Sequence, residues 1–201
     1  MSNTTDAYSL RADEYSSLLG SMESVHDSDR QLIDSWAAAV DGRGLDAGCG
    51  PGHWTNYLAN RGLEVRGIDL VPAFIERARS SYPGVRFEVG SIDEIDEPDD
   101  SLGGILSWYS TIHHDPSRIS EPLTEFARVL RPGGLLVLGY FEGPACEAFD
   151  HAITTAYRWP ASELEQALEA SGFEVLESHR RTSRTHRPHG AVICRPSLAP
   201  D

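Results

Sequence analysis

The chain contains no lysine; all 17 of its basic residues are arginine. That absence excludes a lysine Schiff base and the phosphate-binding lysine of a P-loop. Positive charge as a whole is short, since 17 basic residues face 31 acidic ones and leave a formal net charge of −14. Such a balance repels phosphate backbones, so no nucleic-acid partner is expected. Cysteine is scarce. Cys49, Cys146 and Cys194 are odd in number and far apart, which excludes a disulfide scaffold and fits a reducing compartment. No apolar run approaches membrane-spanning length. The start, "MSNTTDAYSLRADEY", lacks the basic-then-apolar pattern of a secretory signal. A cytoplasmic protein without a membrane partner is the expectation.

What is present is an alternation. The 201 residues suit one domain with a sizeable core. From residue 44 onward short apolar runs alternate with helical patterns: "RGLDAG", "LEVRGIDL", "VRFEVG", "LGGILSWY" and "GLLVLGYF" read as strands. "HWTNYLANRG", "PAFIERARSSY" and "PSRISEPLTEFARVL" read as helices, the second opened by Pro72 and the third stopped by "RPGG". That order predicts a parallel sheet with helices on both faces. Near the end, "SELEQALEASG" reads as a helix capped by Ser162, followed by two strands, "FEVLESHRR" and "GAVICRP". Residues 1–40 read as a mostly helical segment outside the sheet, held down by Trp36, and residues 41–196 as the ligand-binding domain.

The stretch "LDAGCGPGH" joins the first strand to the first helix of this series. In a doubly wound sheet a nucleotide's ribose and its attachments lie there, and glycines let the backbone approach them without a Cβ in the way. About twenty residues on, Asp69 ends the second strand, where a carboxylate can accept both ribose hydroxyl hydrogens. The spacing is G-x-G-x-G. A dinucleotide site wants its third glycine where this chain has His53. An aspartate at position 46, beside the loop, would repel a pyrophosphate and attract a ligand carrying an amino group and a sulfonium. S-adenosylmethionine carries both. Cys49, inside the loop, is read as a small filler.

Taken in order, "LDAGCGPG", "GIDL", "VGSIDEI", "LSWYSTIHH" and "VLRPGGLLVLGYF" resemble the successive motifs of class I S-adenosylmethionine-dependent methyltransferases, in particular the small single-domain, UbiE-like enzymes. The resemblance implies a Rossmann-like α/β fold with a seven-stranded, mostly parallel sheet, its last strand antiparallel, beneath an N-terminal helical lid. It implies transfer of a methyl group from S-adenosylmethionine to a small-molecule acceptor, by a monomer or homodimer. Carried over to this chain, Asp46 and Gly48 hold the methionine end, Gly50 is a further cofactor-binding residue of the same loop, Asp69 holds the ribose, Leu70 packs on the adenine face and Ile92 meets the adenine ring through its backbone. Ser91 stands where the family often has aspartate at the adenine amino group. Gly103 and Gly104 replace a frequent Phe-Asp ahead of the fourth strand.

Methyl transfer from a sulfonium is an in-line displacement, so positioning carries much of the catalysis. Trp108 ends near the methyl, since ligands of open α/β sheets lie beyond the carboxyl ends of strands. His113 and His114, in the loop that follows, are candidate general bases. No metal is expected, because neighbours such as His113, His114 and Asp115 do not converge on one tetrahedral ion. Tyr8, Arg11 and Tyr15 share one helical face of the lid segment; Arg11 would meet the cofactor carboxylate, and Tyr15 would line the acceptor pocket as a third catalytic candidate. The stretch "EGPACEAFDHAITTAYRWP" is the expected place of acceptor selection. Two other readings stay open at this point: a non-catalytic S-adenosylmethionine or S-adenosylhomocysteine binder, and a nicotinamide oxidoreductase.

Overall fold

The computed structural model describes residues 8, 20–151, 153–182 and 187–197. Five parallel strands come first: β1 (Gly44–Ala47), β2 (Val65–Asp69), β3 (Arg86–Val89), β4 (Leu102–Trp108) and β5 (Leu130–Glu142), laid side by side in the order β3-β2-β1-β4-β5. The hairpin β6 (Glu147–Asp150) and β7 (Thr155–Trp159) follows, and β8 (Phe173–Arg181) and β9 (His189–Pro196) end the sheet. Strand β9 runs antiparallel to both β5 and β8. The main sheet is therefore β3-β2-β1-β4-β5-β9-β8, seven strands with the last in sequence antiparallel, as the resemblance implied.

The hairpin β6–β7 is an addition that the sequence pattern did not announce. β7 pairs in parallel with the last two residues of β5, Phe141 with Arg158 and Glu142 with Trp159. β4 has already ended, its Trp108 opposite Gly139. The hairpin thus prolongs the sheet beyond the carboxyl end of β4, on the side where the ligand is expected.

Period-two alternation sorts the side chains onto two faces. Leu45, Ala47, Ile105, Leu136 and Leu138 meet helices α4 (Ser120–Val129) and α5 (Ala161–Ala170) on one face. Leu106, Val137 and Ile193 meet α1 (Asp27–Ala39) and α2 (His53–Ala59) on the other. Helix α3 (Pro72–Ser81), with Pro72 in its first turn, packs Ile75 and Ala78 on Phe87 of β3. α4 is preceded by a 3-10 turn over Pro116–Arg118 rather than being continuous with it. α5 starts at Ala161 with Pro160 as its cap, so Ser162 lies inside the first turn and does not cap.

Helix α1 belongs to this body. Trp36 is 1 % exposed and its indole N–H donates to the Leu135 carbonyl at 3.2 Å. The pair Gly103-Gly104 makes that seating possible. A Cβ on Gly103 would stand 1.9 Å from the Asp41 carbonyl oxygen, and one on Gly104 2.9 Å from the Trp36 ring. The departure from Phe-Asp is thus a close approach of α1 and its following turn to the start of β4. Of residues 1–19 only Tyr8 is described. Arg11 and Tyr15 lie outside the described residues.

Candidate functional site

The three glycines of the loop after β1 serve three different needs. All have positive φ: +82° at Gly48, +52° at Gly50 and +86° at Gly52. A Cβ on Gly48 would fall 2.2 Å from that of Ser110, and one on Gly52 would enter the Phe87 ring at 2.7 Å. Both are packing requirements inside the protein. Gly50 has nothing within 4 Å of where its Cβ would be, and it lines a cavity. Of the three, it alone leaves room for something that is not protein.

Asp69 ties this loop to the end of β2. Its Oδ2 accepts the Gly50 N–H at 2.9 Å and its Oδ1 the Val71 N–H at 2.8 Å. Burial pushes its carboxyl up to about 6, against the pull of those two N–H groups. Asp46 lies deeper, 2 % exposed, and accepts the Thr55 hydroxyl at 2.6 Å. Burial pushes it up to about 7; the Thr55 bond opposes the rise and the Asp69 charge adds to it. Thr55 is a buried partner of Asp46 that the sequence reading missed, since a lone threonine on a short helix carries no signal. Cys49 is the filler it was read as: it is 4 % exposed, and burial beside two carboxylates pushes its thiol up.

The cavity measures about 330 Å³. Gly48, Gly50, Asp69, Leu70, Ile92 and Trp108 all line it, as do His113 and His114. The structure therefore brings together eight of the residues singled out from the sequence. Asp46 and Ser91 stand behind this lining. The Ser91 hydroxyl is turned back to its own loop, where it accepts the Asp93 N–H at 3.1 Å. Leu70, apolar yet 37 % exposed, offers its side chain to the cavity. Trp108 is held edge-on to Trp54 and Tyr109 and lies over Gly139. Tyr109 takes a left-handed φ of +59°, and its hydroxyl meets His189 Nδ1 at 2.5 Å.

The two histidines differ. His113 Nδ1 lies 2.7 Å from the Thr155 carbonyl oxygen, and its Nε2 lies 2.7 Å from the Tyr8 hydroxyl. A carbonyl only accepts, so Nδ1 carries the proton and Nε2 accepts from Tyr8. Burial is the main cause that holds His113 below its ordinary range, which keeps it neutral at neutral pH. His114 Nε2 is 2.8 Å from Asp93 Oδ1. The hairpin grips this loop through a second bond, from Tyr157 N–H to the Ile112 carbonyl at 2.8 Å. Nothing in the sequence announces a backbone carbonyl as the partner of His113.

Residues 45–134 match the family model described as a methyltransferase domain. An uncharacterized methyltransferase of Mycobacterium bovis is 36% identical over 108 residues, 54% of this chain and 43% of the relative. A probable S-adenosylmethionine-dependent methyltransferase of Mycolicibacterium smegmatis is 31% identical over 140 residues, 67% of this chain and 52% of the relative. The chain thus spans about half the length of the curated relatives it matches. Among solved structures, the 1,6-didemethyltoxoflavin N1-methyltransferase of Burkholderia thailandensis, with 1,6-didemethyltoxoflavin and S-adenosylhomocysteine bound, superposes with a TM-score of 0.71. That match covers 98% of this chain and 91% of the other at 24% identity. No helix among the described residues is long and apolar enough to cross a membrane.

Proposed function

The chain belongs to the class I S-adenosylmethionine-dependent methyltransferase family, and from that premise we propose that it moves a methyl group from S-adenosylmethionine to a small-molecule acceptor in the cavity above β1, β2 and β4. The observation that carries this reading is the brace at Asp69. A half-buried carboxylate, anchored by two backbone N–H groups, lines the cavity beside the one loop glycine whose Cβ side is open. Each anchored oxygen keeps acceptor capacity, which suits the two vicinal hydroxyls of a ribose. Leu70 and Ile92 offer apolar surface to an adenine. Gly48 and Gly50, with Asp46 beneath them, suit the cationic methionine end. The donor set thus fits the cofactor, which when bound supplies an electrophilic methyl on a sulfonium.

This chain's own residues do the rest. Trp108, immobilised by its ring neighbours, restricts where an acceptor can sit. His113 is the base on which the proton set free by the transfer comes to rest, because it is neutral and its protonated Nδ1 is already committed to Thr155, which leaves Nε2 to receive it. His114 is fixed by Asp93 and borders the same space. The toxoflavin enzyme acts on a flat heterocycle; a small acceptor of that kind suits the ring-rich lining here.

Calorimetric titration with S-adenosylhomocysteine and with NAD tests the reading. S-adenosylhomocysteine binds and raises the melting temperature, and NAD does neither. Asp69→Ala removes charge-assisted bonds of ~1.5–3 kcal/mol each and weakens binding by at least tenfold. Tight NAD binding, or an Asp69→Ala variant with unaltered affinity, would sink it.

A further inference from the structure

The bond between Tyr8 and His113 points to the chemistry of the acceptor. Tyr8 lines the cavity, its ring set edge-on to Phe74 at 5.7 Å and to His113 at 5.4 Å. Its hydroxyl occupies the Nε2 lone pair of His113, which is the only lone pair that ring has once Nδ1 is bound to Thr155. His113 therefore does not meet an acceptor directly while Tyr8 is in place. A hydroxyl that donates its single proton keeps two lone pairs, and it can accept a proton as it gives its own away.

We propose that Tyr8 is the residue that touches the methyl acceptor and takes its proton, passing its own to His113, and that the acceptor accordingly bears a removable O–H or N–H, carried on an aromatic ring that suits the Phe74, Trp108 and Tyr109 lining. This rests on the methyltransferase reading above. The step balances. The acceptor's X–H proton goes to Tyr8 Oη and Tyr8's proton goes to His113 Nε2. The new X–C bond forms as the C–S bond breaks, with its electron pair left on sulfur. His113 ends as an imidazolium with Nδ1–H on the Thr155 carbonyl and Nε2–H on Tyr8, so both of its donors have acceptors. The Thr155 carbonyl is what aims the relay, which gives the added hairpin β6–β7 a purpose: it orients the proton's destination. A carboxylate or a tertiary amine has no proton to give and would gain nothing from this arrangement.

Two variants and three probes test it. Tyr8→Phe keeps the ring and its contacts but removes the relay. His113→Asn keeps a donor for Thr155 but has no Nε2. Both should bind S-adenosylhomocysteine with the wild-type affinity. Nitrogen-15 NMR of His113 in the S-adenosylhomocysteine complex should show Nδ1 protonated and Nε2 bare, with the Nε2 resonance moved by Tyr8→Phe. With labelled S-adenosylmethionine, methyl should pass to 2-naphthol and not to 2-naphthoate or quinoline. Each variant should lower kcat about a hundredfold or more, the low end of general acid–base effects, with KM for the cofactor within about twofold. The double variant should be no slower than the worse single one, because the two act as a unit. An Nε2–H tautomer would overturn the proposal, and so would transfer confined to 2-naphthoate or quinoline, no transfer to 2-naphthol, or a Tyr8→Phe enzyme of undiminished kcat. Failure of the wild-type protein to bind S-adenosylhomocysteine would strike the methyltransferase reading instead.

Discussion

The two ends of the cavity are built by different means. The glycine-loop end is made by chain continuity: β1, its loop and the end of β2 are tied together through backbone groups, with Gly48 and Cys49 N–H on the Ile68 carbonyl and Gly50 N–H on Asp69. The histidine end is made by contacts between segments far apart in the sequence. His113 is held by a carbonyl 42 residues away and by a hydroxyl 105 residues away. The first end needs only the local order of residues; the second needs the finished fold. The difference teaches where a site can tolerate change. Backbone-built parts fail by sterics and are all or none. Side-chain-built parts can be retuned one contact at a time, which suits a family whose members share a cofactor and differ in acceptor.

The sharpest way to break this contrast lies within the glycine loop itself. Gly52→Val places branched atoms where a Cβ alone would be 2.7 Å from Phe87 and 2.9 Å from Ala78, at a φ of +86°. Overpacking of ~1–3 kcal/mol adds to a left-handed penalty of ~1–2 kcal/mol. A loss of roughly 2–5 kcal/mol is expected in denaturant unfolding. Gly50→Ala meets no atom, so it costs only about the backbone term, ~1–2 kcal/mol. It should instead lower the affinity for S-adenosylhomocysteine, because its methyl projects into the cavity. If both variants unfold alike, Gly50 is structural and the distinction drawn among the three glycines is wrong.

That distinction also marks what the sequence could say. Asp69, Leu70 and the glycine spacing were legible because strand, loop and strand fix their neighbours in space with little help from the rest of the chain. The parallel strands were legible for the same reason, through alternating apolar runs, while the seven-stranded order with its antiparallel last strand was what the resemblance implied. The hairpin β6–β7 was not legible. Its strands are short, four and five residues, and the stretch that holds them was read as the place of acceptor selection and not as strands. The two histidines were found as types, but their partners were invisible: Thr155 acts through its carbonyl, which every residue has. Ser91 was expected at the adenine, yet its hydroxyl turns to Asp93 N–H, a local bond that serine at such a turn readily makes.

A second effect, smaller, separates the two ends by pH. In the folded protein Asp46 and Asp69 are raised from the ordinary 3.8 to about 7 and about 6. The folded state therefore holds more protons than the unfolded one between pH 4 and 7, and these two groups lose stability as pH rises through that window. A ligand that brings an ammonium group and ribose hydroxyls to them, as S-adenosylhomocysteine does, favours their ionised forms. Its affinity should rise with pH from 5.5 to 8, by about tenfold for each unit of pKa that binding removes. The measurement is the melting-temperature increment given by S-adenosylhomocysteine at each pH, which cancels contributions common to the free and bound protein. The increment should grow with pH, and Asp69→Asn should flatten part of the growth. An increment independent of pH would mean that neither carboxylate senses the ligand.

The smallest expected effect concerns Leu70, at the boundary of strand and cavity. A leucine 37 % exposed contributes little to folding, since much of its surface stays in water without ligand. Leu70→Ala should therefore leave unfolding within about 0.5 kcal/mol of wild type, the range of surface substitutions. Bound adenine would cover that surface. Losing the contact removes about 1 kcal/mol of apolar burial, a roughly fivefold weaker affinity for S-adenosylhomocysteine. Adenosine, which keeps the base and ribose, should lose the same factor; methionine, which has neither, should lose none. Equal loss for adenosine and methionine would place Leu70's effect on the loop as a whole. A large loss of stability with no loss of affinity would make Leu70 a core residue and move the base elsewhere in the cavity.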